Sequence, residues 1–101
     1  FNKRGGVGAI SVTANIAPKL CSQFQALSIL NDDKSKNEAK NLDNILQSLH
    51  SAMFVESNPS PVKFAAKQLG LCDDAVRLPL VKVTEQTREI IIKALKSTKL
   101  I

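Results

Sequence analysis

The sequence has no tyrosine, no tryptophan, one histidine and two cysteines, and each of these shortages excludes a class of protein. A zinc site of the usual kind needs four Cys or His ligands, and the chain has only three, Cys21, Cys72 and His50. No tyrosine or tryptophan is present to stack on nucleic-acid bases. No apolar run is long enough to cross a bilayer. We therefore expect no metal, no cofactor, no nucleic-acid partner and no membrane partner.

Net charge, the spacing of the cysteines and the first residue indicate the class and the cellular compartment of the protein. Fourteen Lys and Arg against nine Asp and Glu give a net charge of +5, but the basic residues are scattered rather than clustered. The two cysteines lie far apart without a secretory context, which predicts buried free thiols in a reducing, cytoplasmic compartment. The chain opens with Phe1 and its only methionine is Met53, so we expect part of a larger soluble protein.

The segment 5–15 is the one stretch that predicts a β-strand. Three glycines precede the apolar run Ala9-Ile10-Ser11-Val12, which is typical of a buried strand. The glycines come before the strand and no Gly-Lys-Ser/Thr follows, so a phosphate-binding loop is not expected. A lone strand needs neighbours, and parallel strands are normally covered by helices.

Ile10 is the candidate site residue. In a closed parallel barrel the carboxyl ends of the strands form the active-site face, which would place Ile10 in the wall of a pocket. A side chain that merely fills the core is the alternative, and the residues alone favour that alternative.

The remainder of the chain predicts four helices. We expect Asn15 to cap the first, which runs to Leu30 with Pro18 in its first turn, and Ser35 with Glu38 to form a capping box for the second. Pro61 should begin a third helix that stops at Gly70, and Thr84 should cap the fourth. The second helix carries the clearest apolar stripe: Ala39, Leu42, Ile45, Leu46, Leu49, Ala52 and Met53.

His50 lies beside this stripe. A single histidine at the border of a core face is usually packed and hydrogen-bonded, and the sequence places no acid or nucleophile next to it. We expect a structural role for His50 and no catalytic residue in the chain.

Four motifs in register resemble one enzyme family. Residues 5–15 read GGVGAISVTAN, residues 54–63 FVESNPSPVK, residues 69–71 LGL and residues 77–80 RLPL. Together they are similar to the C-terminal third of dihydrodipicolinate synthase. Ser60, where an apolar residue is common, and Val81-Lys82, in place of a usual Thr-Pro, depart from the family pattern.

The resemblance implies an α/β fold: the last strand and helix of a (β/α)8 TIM barrel at residues 1–30, followed by a C-terminal helical extension at residues 31–101. Val7 to Val12 would be the eighth strand and Asn15 to Leu30 the eighth helix. As an isolated chain it should be mostly α-helical. Family tetramers make a homo-oligomer, or association with the rest of the barrel, the expected assembly.

The resemblance also implies a class I, Schiff-base lyase that condenses pyruvate with aspartate semialdehyde in diaminopimelate and lysine biosynthesis. The reactive lysine and the proton-relaying tyrosine would precede Phe1, so the chain alone should be inactive. The pocket position that carries over is Ile10, which would line the pyruvate site. The alternative is a small helical interaction module, in which residues 35–101 pack together and Phe1 to Val12 adds to a partner's sheet.

Overall fold

The computed structural model describes residues 1–101, and all of its regular structure is helical. Two single turns of 3₁₀ helix, Asn2–Arg4 and Thr13–Asn15, precede the α-helices. Helix α1 spans Pro18–Ser28, α2 Asp33–Ala52, α3 Ser60–Gln68 and α4 Glu85–Ser97. The mostly helical form expected of the chain alone is thus confirmed. None of these helices has both the length and the apolar character to cross a membrane.

The strand predicted from Val7 to Val12 is not formed in this chain. Residues 6–11 have no regular secondary structure, and Val12 adopts helical angles, with φ −63° and ψ −43°. The physical reason is the absence of a neighbouring strand, because a strand is stabilised by hydrogen bonds to another strand and the chain provides none. The apolar run is present without its partner.

The start of α1 also differs from the prediction. Ala17 occupies the N-cap without a side-chain hydrogen bond, and the helix begins at Pro18. Asn15 does not cap it, because the Asn15 amide donates instead to the Val12 carbonyl at 3.0 Å within the preceding 3₁₀ turn. The helix ends at Ser28 rather than Leu30.

Helix α2 begins two residues before the predicted capping box. The Asp32 carboxylate accepts a hydrogen bond from the Ser35 backbone N–H at 2.9 Å, so Asp32 is the N-cap and Ser35 lies buried in the first turn. The capping box of Ser35 and Glu38 is therefore wrong. Aspartate is among the best N-cap residues, and here it precedes the serine.

Helices α3 and α4 end in the same way, with a residue in the left-handed region just after the helix. Gly70 has a left-handed φ of 76°, as predicted, and Leu71 N–H donates to the Ala66 carbonyl at 2.9 Å. After α4, Lys99 takes the same role with φ 59°, and Leu100 N–H donates to the Leu95 carbonyl at 2.9 Å. Both are Schellman motifs. Thr84 caps α4, as predicted, by accepting from Thr87 N–H at 3.3 Å.

The core lies around the apolar face of α2, against which α1 and α4 pack, while α3 packs against α4. Leu46, Leu49, Ala52 and Met53 are completely buried there. The rest of the buried cluster comes from the segment before α1, from α3, from Val83 and from α4: Ile16, Ala17, Phe64, Ala65, Val83, Ile91, Ala94 and Leu95.

The molecule is elongated, with extents of 46 × 25 × 20 Å and a radius of gyration of 14.7 Å. A compact domain of this length has a radius of gyration of about 13 Å. The chain therefore exposes more surface than a closed domain of its size would.

The linker between α3 and α4 is held by a charged cluster. Asp74 is 4% exposed and lies 3.1 Å from Lys67 Nζ and 3.3 Å from Lys82 Nζ. The Ser60 hydroxyl donates to the Val81 carbonyl at 2.8 Å. The positions that depart from the family pattern thus take part in holding the linker: Ser60 bonds to Val81, and Lys82 supplies a cation that proline would not.

Leu49 provides a test of the core. Replacing a fully buried leucine by alanine leaves a cavity, so Leu49→Ala should lower the free energy of unfolding by about 2–5 kcal/mol in urea denaturation. Ile45→Ala on the same helix is the matched control, because Ile45 is 48% exposed. Equal losses for the two variants would contradict the assignment of the α2 core face.

Asp74 should make the free energy of unfolding depend on pH in the acid range. The hydrogen bond from Lys67 lowers the pKa of Asp74 from 3.8 to about 2. A lowered folded-state pKa stabilises the fold above the unfolded pKa, and this contribution is lost as pH falls from about 4 through about 2. The stability difference between wild type and Asp74→Asn should therefore shrink over that range in urea titrations. Asp73→Asn, at a 68% exposed side chain 3.6 Å from Lys67, is the matched control and should change the free energy of unfolding little.

Candidate functional site

The segment that carries Ile10 exposes two large apolar side chains to solvent. Ile10 is 107% exposed and Val7 is 98% exposed, the two highest values among the large apolar side chains. An apolar side chain gains by leaving water, at about 25 cal/mol per Å² buried. Two such side chains on one short stretch leave apolar surface in water that burial would stabilise.

A few residues later the same segment enters the core. Thr13 is 1% exposed, and Ile16 and Ala17 are 3% and 2% exposed. Backbone bonds define the turn, since the Thr13 carbonyl accepts from Ile16 N–H at 3.1 Å and from Ala17 N–H at 2.9 Å. The turn lies against α1 and α3. The exposed segment, residues 7–11, is thus attached directly to this buried turn at residues 13–17, which is its anchor.

His50 holds this anchor from α2. The Thr13 hydroxyl oxygen and His50 Nδ1 are 2.7 Å apart, which makes a hydrogen bond between residues 37 positions apart in the chain. His50 is half-buried beside Leu46 and Leu49. The predicted packed, hydrogen-bonded role of His50 is confirmed.

The two cysteines differ in environment. Cys21 is partly buried and free, and burial raises the pKa of its thiol more than a hydrogen bond with Ser11 lowers it. A raised pKa keeps the thiol protonated and unreactive at neutral pH. Cys72 is free but exposed, so the prediction that it is buried is wrong. It lies in the linker after α3 and is not part of the apolar core cluster.

None of the lysines lies in a site that would activate an amine. All are exposed except the half-buried Lys63, which donates to the Ala75 carbonyl. The hydrogen bond from Lys67 to Asp74 raises the pKa of Lys67. A lysine that forms a Schiff base needs the opposite shift, since only the neutral amine is a nucleophile.

A cavity of about 360 Å³ lies between the exposed segment and the helices. Ala9 and Ser11 line one side, and Cys21 and His50 line the other. No group of three or more His, Cys, Asp or Glu side chains is placed to hold a metal ion. The cavity therefore lies beside the segment that carries Ile10, and one of its lining residues, His50, is hydrogen-bonded to Thr13.

Thr13 is the residue that sequence reasoning missed. Within the motif at residues 5–15 it reads as one more strand residue, and its partner is on a helix far along the chain. No local pattern couples these positions. The useful signal is the single histidine at the edge of an apolar stripe, which requires a polar partner from some other element.

Solved structures with this fold define the class of protein. A dihydrodipicolinate synthase structure from Thermotoga maritima superposes with a TM-score of 0.91 and 35% identity, covering 99% of this chain and 33% of its own. The enzyme from Acinetobacter baumannii, solved in complex with pyruvate, gives a TM-score of 0.87 and 47% identity over 96% of this chain and 32% of its own. Both are TIM-barrel enzymes, and this chain has the fold of their C-terminal part.

Sequence comparison gives the family. The model of the dihydrodipicolinate synthetase family matches residues 1–98. The 4-hydroxy-tetrahydrodipicolinate synthase of Pelagibacter ubique is 67% identical over 101 residues, which is 100% of this chain and 34% of that protein. The chain therefore belongs to the dihydrodipicolinate synthetase family, and it spans about a third of the length of the relatives it matches.

The exposure of Ile10 can be tested in the chain alone. Ile10→Ala should change the free energy of unfolding by no more than about 0.5 kcal/mol, because the side chain contacts little that alanine would lose. Ile16→Ala, at 3% exposure, should cost about 2–5 kcal/mol. Chemical denaturation followed by circular dichroism measures both. A large loss for Ile10→Ala would show that the segment packs against the helices after all.

Proposed function

We propose that this chain is the C-terminal part of a dihydrodipicolinate-synthase-like lyase, which condenses pyruvate with aspartate semialdehyde through a Schiff base in diaminopimelate and lysine biosynthesis. The family match over residues 1–98 carries this proposal. The pyruvate complex of the Acinetobacter baumannii relative, 47% identical to this chain, supports pyruvate as a substrate. The same match favours a lyase over the small interaction module.

Ile10 is the residue that we assign to substrate binding. Its fully exposed side chain is free to form part of a pocket wall once the remainder of a barrel surrounds it. Val7, exposed on the same stretch, would pack in that barrel as well. In the complete enzyme, strands on either side would pair with residues 7–12 and draw them into the eighth strand.

The chain alone should be inactive. Condensation through a Schiff base requires a lysine with an unprotonated amine, usually produced by burial or by a neighbouring cation. None of the lysines here is buried, and Lys67 has its pKa raised by Asp74. We assign no catalytic residue to this chain and place the reactive lysine in the remainder of the barrel.

The same proposal covers organisation and setting. Residues 1–30 form the last β/α unit of the barrel and residues 31–101 the helical extension. The partners are the rest of the barrel and, in the assembled enzyme, other copies in a tetramer. Both Cys21 and Cys72 are free thiols, which supports a reducing, cytoplasmic location.

Borohydride trapping tests this function. A chimera in which this chain replaces the corresponding third of the Pelagibacter ubique synthase should form a stable reduced adduct with pyruvate, visible by mass spectrometry, and should turn over aspartate semialdehyde. The 101-residue chain alone should form no adduct. A chimera that is folded by circular dichroism but forms no adduct would refute the function, and an adduct on the chain alone would refute its inactivity.

A further inference from the structure

The exposed segment and its anchor are joined by a short piece of backbone. Ile10 is fully exposed, whereas Thr13, three residues later, is 1% exposed. Between them the Ser11 hydroxyl accepts a hydrogen bond from Ala14 N–H at 3.3 Å, which ties the turn to its own beginning. The position of the Thr13 turn therefore limits where the backbone of Ile10 can lie.

The Thr13 side chain is itself fixed by His50. Their hydrogen bond of 2.7 Å connects the turn to the last turn of α2, in the segment 31–101. Leu46, Leu49 and Met53, on the same turns of α2 as His50, are completely buried. The core therefore holds the helix backbone from which His50 reaches Thr13.

The pairing does not require one particular tautomer of the imidazole. A threonine hydroxyl both donates and accepts, so it can donate to a bare Nδ1 or accept from an Nδ1–H. Either tautomer therefore keeps Thr13 attached to α2.

We infer that His50 is a positioning residue for the pyruvate pocket: by holding Thr13 it fixes the backbone that presents Ile10, so the helical extension sets the geometry of a pocket it does not itself line. This inference rests on the proposed function. It assigns to His50 and Thr13 a part in substrate binding that acts through Ile10.

The test uses the chimera with the Pelagibacter ubique synthase. Thr13→Val removes the hydroxyl at nearly constant shape, and His50→Leu removes the ring nitrogens. Each should raise KM for pyruvate about three- to tenfold, the loss expected for one hydrogen bond, with KM for aspartate semialdehyde unchanged. Thr13→Ser and His50→Asn retain donor and acceptor groups and should stay near wild type.

Thr98→Val is the matched control for a general loss of stability. Thr98 is 8% exposed, and its hydroxyl donates to the Ala94 carbonyl at 2.9 Å at the far end of α4. It should lower the melting temperature without moving KM for pyruvate. If Thr98→Val raised KM as much as Thr13→Val, or if Thr13→Val left KM unchanged in an active chimera, the positioning role would be refuted.

A second measurement does not depend on catalysis. Amide hydrogen exchange at residues 9–12 of the chimera should be about three- to tenfold faster in Thr13→Val and His50→Leu than in wild type or Thr98→Val. Unchanged exchange would overturn the inference even if the chimera were active. Faster exchange in a chimera that forms no pyruvate adduct would uphold the positioning contact while the proposed function failed.

Discussion

Burial of the apolar face of α2 is the constraint on which the rest of the structure depends. Leu46, Leu49, Ala52 and Met53 have no exposed surface, and each needs neighbours from other elements to exclude water. Helices α1 and α4 supply them directly, and Ile16 and Ala17 join from the segment before α1. Helix α2 is therefore covered by residues from the first third of the chain and by its last helix.

Polar contacts stabilise the segments between helices that lie outside this apolar core. Glu56, after α2, accepts hydrogen bonds from the Thr84 N–H at 3.0 Å and the Thr84 hydroxyl at 3.2 Å. Hydrogen bonding to Thr87 and to the backbone of Thr84 lowers the pKa of Glu56, so the carboxylate is charged where α4 begins. A negative group at a helix N-terminus is favourable because of the helix dipole. The α2 end and the α4 start are joined in this way across residues far apart in sequence.

Features set by local sequence were predictable. The stripe of α2, the left-handed Gly70 and the Thr84 cap each depend on residues within a few positions, and the structure contains them, except that Ile45 of the stripe is exposed. The Asn15 cap and the capping box failed at a finer level, since Asp32 competes with Ser35 for the same helix start. Family resemblance supplied what local pattern did not, namely the fold to which the piece belongs.

Features set by distant partners were not predictable. The run at Val7 to Val12 has the composition of a strand, but whether it forms one depends on other strands, and the chain has none to pair with it. Ile10 is accordingly exposed rather than buried. The Thr13–His50 bond likewise joins positions 37 apart, with no pattern in either neighbourhood to reveal it.

Under the proposed function, the contrast between Ile10 and Thr13 would account for a chain that carries part of a pocket without its catalytic groups. The apolar side chain of Ile10 is left in water, whereas Thr13, three positions later, is buried and hydrogen-bonded to His50. Under the proposed function, the pocket wall at Ile10 requires the rest of a barrel, whereas the Thr13–His50 contact is already formed in this chain. The positioning role inferred for His50 would then make the geometry of the pocket depend on the helical extension as well as on the barrel.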